Sequence, residues 1–176
     1  MNKISLAIKY YHTLKHLKPT QFYFRGFYFI RNRLVGNKFI YIENKWNIES
    51  VHLKTPFSLD SKILSNKSKF EILNIEKKFE SIGSINWNFL GNGKLWCYNL
   101  NYFEFLLQKG LDCDLGIDLI LSYIKNQSVL KDGLESYPIS LRNINWIKFL
   151  TTHRIKNSKI DSFTYSCYLH LLKNLE

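Results

Sequence analysis

The stretch "LESYPISLRNINWIKFL", residues 134–150, decides how the rest of the chain is read. It opens like a turn and continues like a helix. Pro138 stands in the first turn, where the missing N–H is not needed. From there Leu141, Ile144, Ile147 and Leu150 spread around the helix, so both faces should be covered. Arg142 and Asn145 fall about 60° apart on it, with Phe149 between them. Burying a guanidinium without partners costs on the order of several kcal/mol. Arg142 must therefore meet a carboxylate, backbone carbonyls or a ligand. Two readings stay open: an internal pair with Glu104 or Glu135, or a cleft wall that holds an anionic sugar. The helix is predicted to run to about Arg154.

Around this helix the chain reads as helical hairpins from Tyr98 onward. Residues 99–109 have Asn101, Glu104 and Gln108 as a polar stripe, and Gly110 as a stop. Residues 115–127 have Asp118, Ser122 and Lys125 as theirs. Asp161 or Ser162 is predicted to cap a further helix with Phe163, Tyr165, Cys167, Tyr168, Leu171 and Leu172 on its apolar face. That helix is still running at the last residue, with no cap or polar tail after it. At the other end, residues 4–17 have amphipathic spacing, and Pro19 is predicted to end that helix. "TQFYFRGFYFIRNRL", residues 20–34, has no clean period. Thr20 suits a helix cap, while the aromatic density also suits a strand. Gly36 and Asn37 mark a turn. Residues 38–90 are the least regular part: "KFIYIENKW" and "FEILNIEKKF" suit short strands, Pro56 and its serine- and asparagine-rich surroundings a loop, and "LGNGKLW" a turn.

The chain has 176 residues, 45% of them hydrophobic, enough for one domain with a real core. Its formal charge is +11, and the first forty residues hold eight Lys or Arg and no Asp or Glu. Such a surface attracts polyanions: nucleic acid, acidic polysaccharide or anionic lipid. It also suits a plain solvated surface. Cys97, Cys113 and Cys167 have neither an even pairing nor metal-ligand spacing, and are expected as reduced, partly buried thiols. "HTLKH" puts His12 and His16 one turn apart, but Thr13 stands where a zincin helix has its glutamate. "GNGKLW" lacks the phosphate-loop spacing, and no nucleophile elbow, kinase signature or dinucleotide fingerprint occurs. No metal or cofactor is expected. Nothing is long and apolar enough for a signal peptide or a membrane span, which points to the cytoplasm.

Three blocks, "YYHTLKHLKPTQFYFRGFYFIRNRL" (10–34), "KLWCYNLNYFEFLL" (94–107) and "SYPISLRNINWIKFL" (136–150), occur in that order. Together they resemble the N-terminal region of heparinase II/III-type polysaccharide lyases. The looser middle aligns through "FEILN" and "INWNF". The resemblance implies a mainly α fold: helical hairpins of an incomplete α/α toroid, with a short irregular or β-containing segment around 38–90. It implies one N-terminal domain over 1–176, divided into N-terminal helices (1–35), an irregular segment (36–97) and hairpins (98–176). Such enzymes cleave uronate-containing glycans by β-elimination, using Asn, His and Tyr residues of the later toroid and of a following β-sandwich. This chain ends before the Asn-His segment and has no sandwich, and Asn101 stands where many relatives are expected to have histidine.

No residue here is therefore assigned a catalytic role, and whether the chain is an enzyme is left open. The resemblance carries over Tyr98, Asn99, Tyr102, Tyr137, Arg142, Asn145 and Trp146 as substrate-facing. Arg142 is expected to pair with a carboxylate or sulfate, Asn145 to hydrogen-bond a sugar, and Trp146 or Tyr137 to stack on a ring; each suits holding hairpins together equally well. The implied function is the N-terminal part of a lyase-like protein, inactive alone, binding acidic polysaccharide and completed by a separately encoded C-terminal part. The family leaves periplasm or cell envelope open as the location. The alternative is a non-catalytic, basic polyanion-binding or interaction module. Nucleic-acid binding is a weaker variant, without a recognised module motif. Peripheral membrane binding through "FYFRGFYFIRNRL" is a third reading.

Overall fold

The computed structural model describes residues 11–12, 15–31, 33–34, 58–60 and 63–173. Most of the helix expected at 4–17, the turn at Gly36–Asn37, the "KFIYIENKW" strand and the loop around Pro56 lie outside these residues. The chain divides into two compact units, Met1–Lys38 and Phe39–Glu176. The architecture is mainly helical with a small sheet. Among the described residues no helix is long and apolar enough to cross a membrane.

In the first unit, helix α1 spans Pro19–Arg31. The aromatic run is thus helical, not a strand, and Pro19 begins this helix rather than only ending the one before. Thr20 lies inside the first turn and is not the cap. Gln21 takes over part of that work: its side-chain carbonyl accepts the Lys18 backbone N–H at 2.8 Å. No residue of α1 is buried.

The second unit contains a three-stranded antiparallel sheet in the order β1 (Leu64–Asn66), β2 (Lys69–Ile72), β3 (Ile75–Lys78). "FEILNIEKKF" is therefore a hairpin, not one strand. Leu73 and Asn74, both at positive φ, form its two-residue turn. Gln108 closes the outer edge of β1. Its amide donates to the Leu64 carbonyl and accepts the Leu64 N–H, both at 2.8 Å.

Four helices follow: α2 (Lys94–Tyr102), α3 (Cys113–Lys125), α4 (Ser136–Thr152) and α5 (Ser158–Lys173). The turn at Gly91–Asn92 precedes α2, as its glycines suggest. Helix α2 ends earlier than the 99–109 pattern predicts, because Phe103 adopts left-handed backbone angles (φ 58°, ψ 29°) and a 3-10 turn, Glu104–Leu107, follows. Asn101, still within α2, faces inward, so the expected polar stripe is not there. The amide of Asn101 instead donates to the Trp87 carbonyl at 2.9 Å and the Cys97 carbonyl at 2.8 Å. Ser122 is also buried rather than on a polar stripe. It donates to the Ile82 carbonyl and accepts from Trp87 Nε1, fastening α3 to the loop before α2. The cap of α5 is Asn157, whose side chain accepts from the Lys159 and Ile160 N–H groups; Asp161 and Ser162 lie past it. Tyr168 and Leu172 are exposed rather than on the buried face of α5.

The core is an aromatic stack assembled around Phe103. Its ring lies 4.9 Å from Trp87, 5.3 Å from Tyr123 and 5.2 Å from Trp146, and Phe163 of α5 closes the far side at 5.7 Å from Trp146. Helix α4 packs against α2, the 3-10 turn and α5. One residue thus both ends α2 and centres the core. Truncating such a buried ring costs about 3–5 kcal/mol, and a left-handed non-glycine residue carries roughly 1–2 kcal/mol of backbone strain. Phe103→Ala should therefore lower unfolding stability by an amount in the upper range. Phe103→Gly should lose less than Phe103→Ala although it removes more atoms, because glycine adopts positive φ freely. Chemical denaturation of both variants checks the order; an alanine variant more stable than the glycine variant would contradict the left-handed assignment.

Candidate functional site

Helix α2 and the start of α4 meet where Leu130–Glu135 crosses between them. Tyr98 and Tyr102 stand four residues apart on α2, so they share a face. The Tyr98 hydroxyl donates to the Glu135 carboxylate. Tyr137, 67% exposed, sets its ring edge-to-face with Tyr102 at 5.9 Å. Lys94, at the first position of α2, reaches Glu135 at 3.3 Å and Asp132 at 3.7 Å, and lies over the Tyr98 ring at 5.1 Å. Three of the seven residues nominated from sequence therefore converge on one surface. Asn99 is half-buried beside them, but its amide is turned back to the Leu95 carbonyl. Lys94 and Asp132 belong to the cluster although nothing in their spacing nominated them. Glu135 was foreseen only as a partner for Arg142.

The charges on this surface are matched rather than free. Lys94 is held above the ordinary lysine range by the Tyr98 hydroxyl and then Glu135. Burial pushes the Tyr98 and Tyr102 phenols up, so both stay protonated donors at neutral pH. Glu135 feels an upward push from burial, but hydrogen bonds from Tyr98, from its own backbone and from Lys94 outweigh it and hold the carboxyl below its ordinary range.

The other three nominated residues lie inside. Arg142 is 0% exposed, Trp146 0% and Asn145 8%, so none of them forms an open cleft wall. Each has a structural partner or enclosure. Asn145 donates to the Tyr102 carbonyl at 2.8 Å, satisfying the end of α2 where Phe103 breaks it. Trp146 is part of the aromatic core. Arg142 Nη1 donates to the Gly133 carbonyl at 3.1 Å, and the guanidinium lies over the Tyr123 ring at 4.6 Å. Neither Glu104 nor Glu135 pairs with it. Ion pairs among the described residues include Lys69–Glu76, Lys94–Asp132, Lys94–Glu135 and Lys109–Asp60, and none of these involves Arg142. Tyr123 is held far above its usual range by burial, which Arg142 offsets in part.

Sequence reasoning also missed a Cys–His contact: Cys113 Sγ lies 3.0 Å from His153 Nδ1, at the start of α3 and just after α4. Burial, with Asp112 and Asp114 beside it, raises the Cys113 thiol above its usual range, so the pair is poorly suited to present a thiolate. Cys97 is buried, and its thiol is pushed up to about 11 by burial and then Asp132. Among the described residues no three His, Cys, Asp or Glu side chains gather as a metal site would require.

The Glu135 cluster makes a pH prediction. A carboxyl lowered on folding contributes stability above its unfolded pKa, and that contribution is lost as pH falls through the lowered folded value. Glu135→Gln should therefore flatten the acid side of the stability–pH curve while changing its neutral-to-alkaline side little in shape. Denaturation midpoints measured from neutral pH down through the carboxylate range test this. An acid limb as steep in the variant as in the parent chain would contradict it.

Set against models of protein families, curated proteins and solved structures, the chain matches none of them.

Proposed function

We propose that this chain is the helical N-terminal part of a polysaccharide lyase-like protein, resembling the heparinase II/III type, and that it binds glycan without cleaving it. In this reading its hairpins belong to an incomplete α/α toroid. β-Elimination needs a neutralised uronate carboxylate, a base for the C5 proton and an acid for the leaving oxygen. The resemblance assigns these to later parts of the family architecture, not to residues of this chain. The observation that carries the reading is the convergence of Tyr98, Tyr102 and Tyr137. They come from two sequence blocks that carry the resemblance, and they meet as one surface with apolar rings and polar edges. Such rings stack on sugar faces while their hydroxyls and Glu135 offer hydrogen bonds.

Truncating a central aromatic anchor typically costs about 1–2 kcal/mol or more of binding, roughly tenfold in affinity. Calorimetric titration with oligosaccharides containing glucuronate should give saturable binding that Tyr137→Ala weakens about tenfold. Because Tyr137 is exposed, the variant should keep its fold. The same mixtures should develop no ultraviolet absorbance from unsaturated uronate. Absence of saturable binding sinks the binding reading, and enzyme-like growth of that absorbance sinks the non-catalytic one.

A second reading, a basic polyanion-binding module, is favoured by α1. It exposes Phe22, Tyr23, Phe27, Phe29 and Ile30 together with Arg25, with half-buried Arg31 beside them, in a segment without acids. Salt-sensitive retention on heparin, lost in Arg25→Gln/Arg31→Gln while Tyr137→Ala is retained, would favour this module over the tyrosine surface.

A further inference from the structure

Helix α1 holds four Phe, two Tyr and one Ile within 13 residues, and all seven side chains are exposed. So much apolar surface on one short helix marks a contact with something else. At about 100° per residue, Phe22, Tyr23, Gly26, Phe27, Phe29 and Ile30 fill one arc of roughly 160°. Arg25 and Arg31 stand at its two borders, each about 40° beyond the last ring. Gly26 lies near the middle of the arc, with open space where a Cβ would stand. On the far side Phe24 and Tyr28 turn to each other, ring centroids 6.4 Å apart, and the Arg31 guanidinium covers the Tyr28 ring at 5.5 Å.

Charge and ring type together constrain what covers this arc. The first forty residues hold eight Lys or Arg and no Asp or Glu, so the complementary surface is anionic. A second copy of this chain brings the same cations and is repelled. A dissolved polyanion meets the arginines but stays hydrated. It leaves Phe22, Phe29 and Ile30, which have no hydrogen-bonding edge, in water. An anionic bilayer satisfies both demands: the guanidinium groups reach phosphate oxygens while the rings between them sink below the headgroups. At about 1.5 Å per residue, the 13 residues of α1 reach about 20 Å, short of the roughly 30 Å hydrocarbon layer. The helix therefore suits lying along a membrane and not crossing it.

We propose that α1 docks in the plane of an anionic lipid surface, with the arc from Phe29 to Phe27 in the headgroup–acyl boundary and Arg25 and Arg31 on the phosphates at either side. Gly26 lets the backbone come close to the headgroups at the centre of the contact. This rests on the second reading above in taking α1 as the element that meets a polyanion, and it names that polyanion as a lipid surface. The tyrosine surface of the second unit takes no part in it.

Co-sedimentation of the full chain with vesicles tests this, run beside retention on heparin. The vesicles are phosphatidylcholine alone, or an equal mixture of phosphatidylcholine and phosphatidylglycerol. The parent chain should partition onto the mixed vesicles about tenfold or more better than onto phosphatidylcholine. Phe22→Gln/Phe29→Gln should lose about tenfold or more on the mixed vesicles while leaving heparin at the same salt as the parent. Gly26→Leu, which fills the open centre of the arc, should gain several-fold on the vesicles and not on heparin. Arg25→Gln/Arg31→Gln should lose on both. Circular dichroism checks that each variant folds; if the Phe22/Phe29 variant does not, Gly26→Leu decides. No partition of the parent onto mixed vesicles at low salt overturns the proposal, and so does equal partition onto phosphatidylcholine. Unchanged vesicle binding in the folded Phe22/Phe29 variant, or in Gly26→Leu, reduces the contact to charge alone and overturns it. Heparin retention that falls as far as vesicle binding in the Phe22/Phe29 variant assigns the arc to a dissolved chain and overturns it too. Heparin retention without vesicle binding overturns the lipid surface and leaves the polyanion module standing. Vesicle binding without heparin retention upholds the lipid surface and removes binding to dissolved glycan.

Discussion

The fold of the second unit depends on how α4 disposes of its polar side chains. A helix covered on nearly every side cannot carry Arg142, Asn143 and Asn145 unless each finds an acceptor. Each finds a backbone carbonyl in a different neighbour: Gly133 in the loop before α4, Thr164 in α5 and Tyr102 at the end of α2. The three bonds fix α4 against three elements at once, and the Trp146 ring between them fills the aromatic core with Phe103, Tyr123 and Phe163. Dispersion and burial supply most of the stability, while the carbonyl bonds choose one arrangement among the many an apolar helix allows.

The same arrangement joins the tyrosine surface to the buried guanidinium. Glu135 takes the Tyr98 hydroxyl and Lys94 on its outer side, and two residues before it Gly133 takes Arg142 on the inner side. Residues 131–135 thus carry contacts to both the tyrosine surface and the core. The tyrosine surface has little free positive charge of its own, since Lys94 is committed to two carboxylates.

Much of the helical part is legible from spacing. Pro138 and the apolar run after it announce α4, and the glycines at 91 and 93 announce the turn before α2. The hidden features arise where one residue overrides a periodic pattern. Phe103 in a left-handed conformation ends α2 early, and Asn101, on the packed face of that helix, is a buried clamp on Trp87 rather than a surface residue. Ser122 looked polar and solvent-facing because hydroxyls often are, but tertiary packing gave it two partners 35 and 40 residues away. "FYFRGFYFI" was ambiguous because aromatic residues suit strands as well as helices; Pro19 and Gln21 at its start were the better guide. For the candidate site, the tyrosines were visible as residues but their companions were not, because Lys94, Asp132 and Glu135 meet only through folding. The need of Arg142 for a partner was legible; that its partner is the Gly133 carbonyl rather than a carboxylate was not.

The central claim is that Arg142 sits enclosed over Tyr123 with one edge of its guanidinium unmet. Nuclear magnetic resonance of the Arg142 Nε–H group reads this directly. Enclosure predicts a resolved signal that persists at neutral pH, exchanges slowly with water, and moves when Tyr123 is replaced by leucine and the ring current is lost. A signal that exchanges as fast as those of surface arginines, or that ignores Tyr123→Leu, would contradict the account.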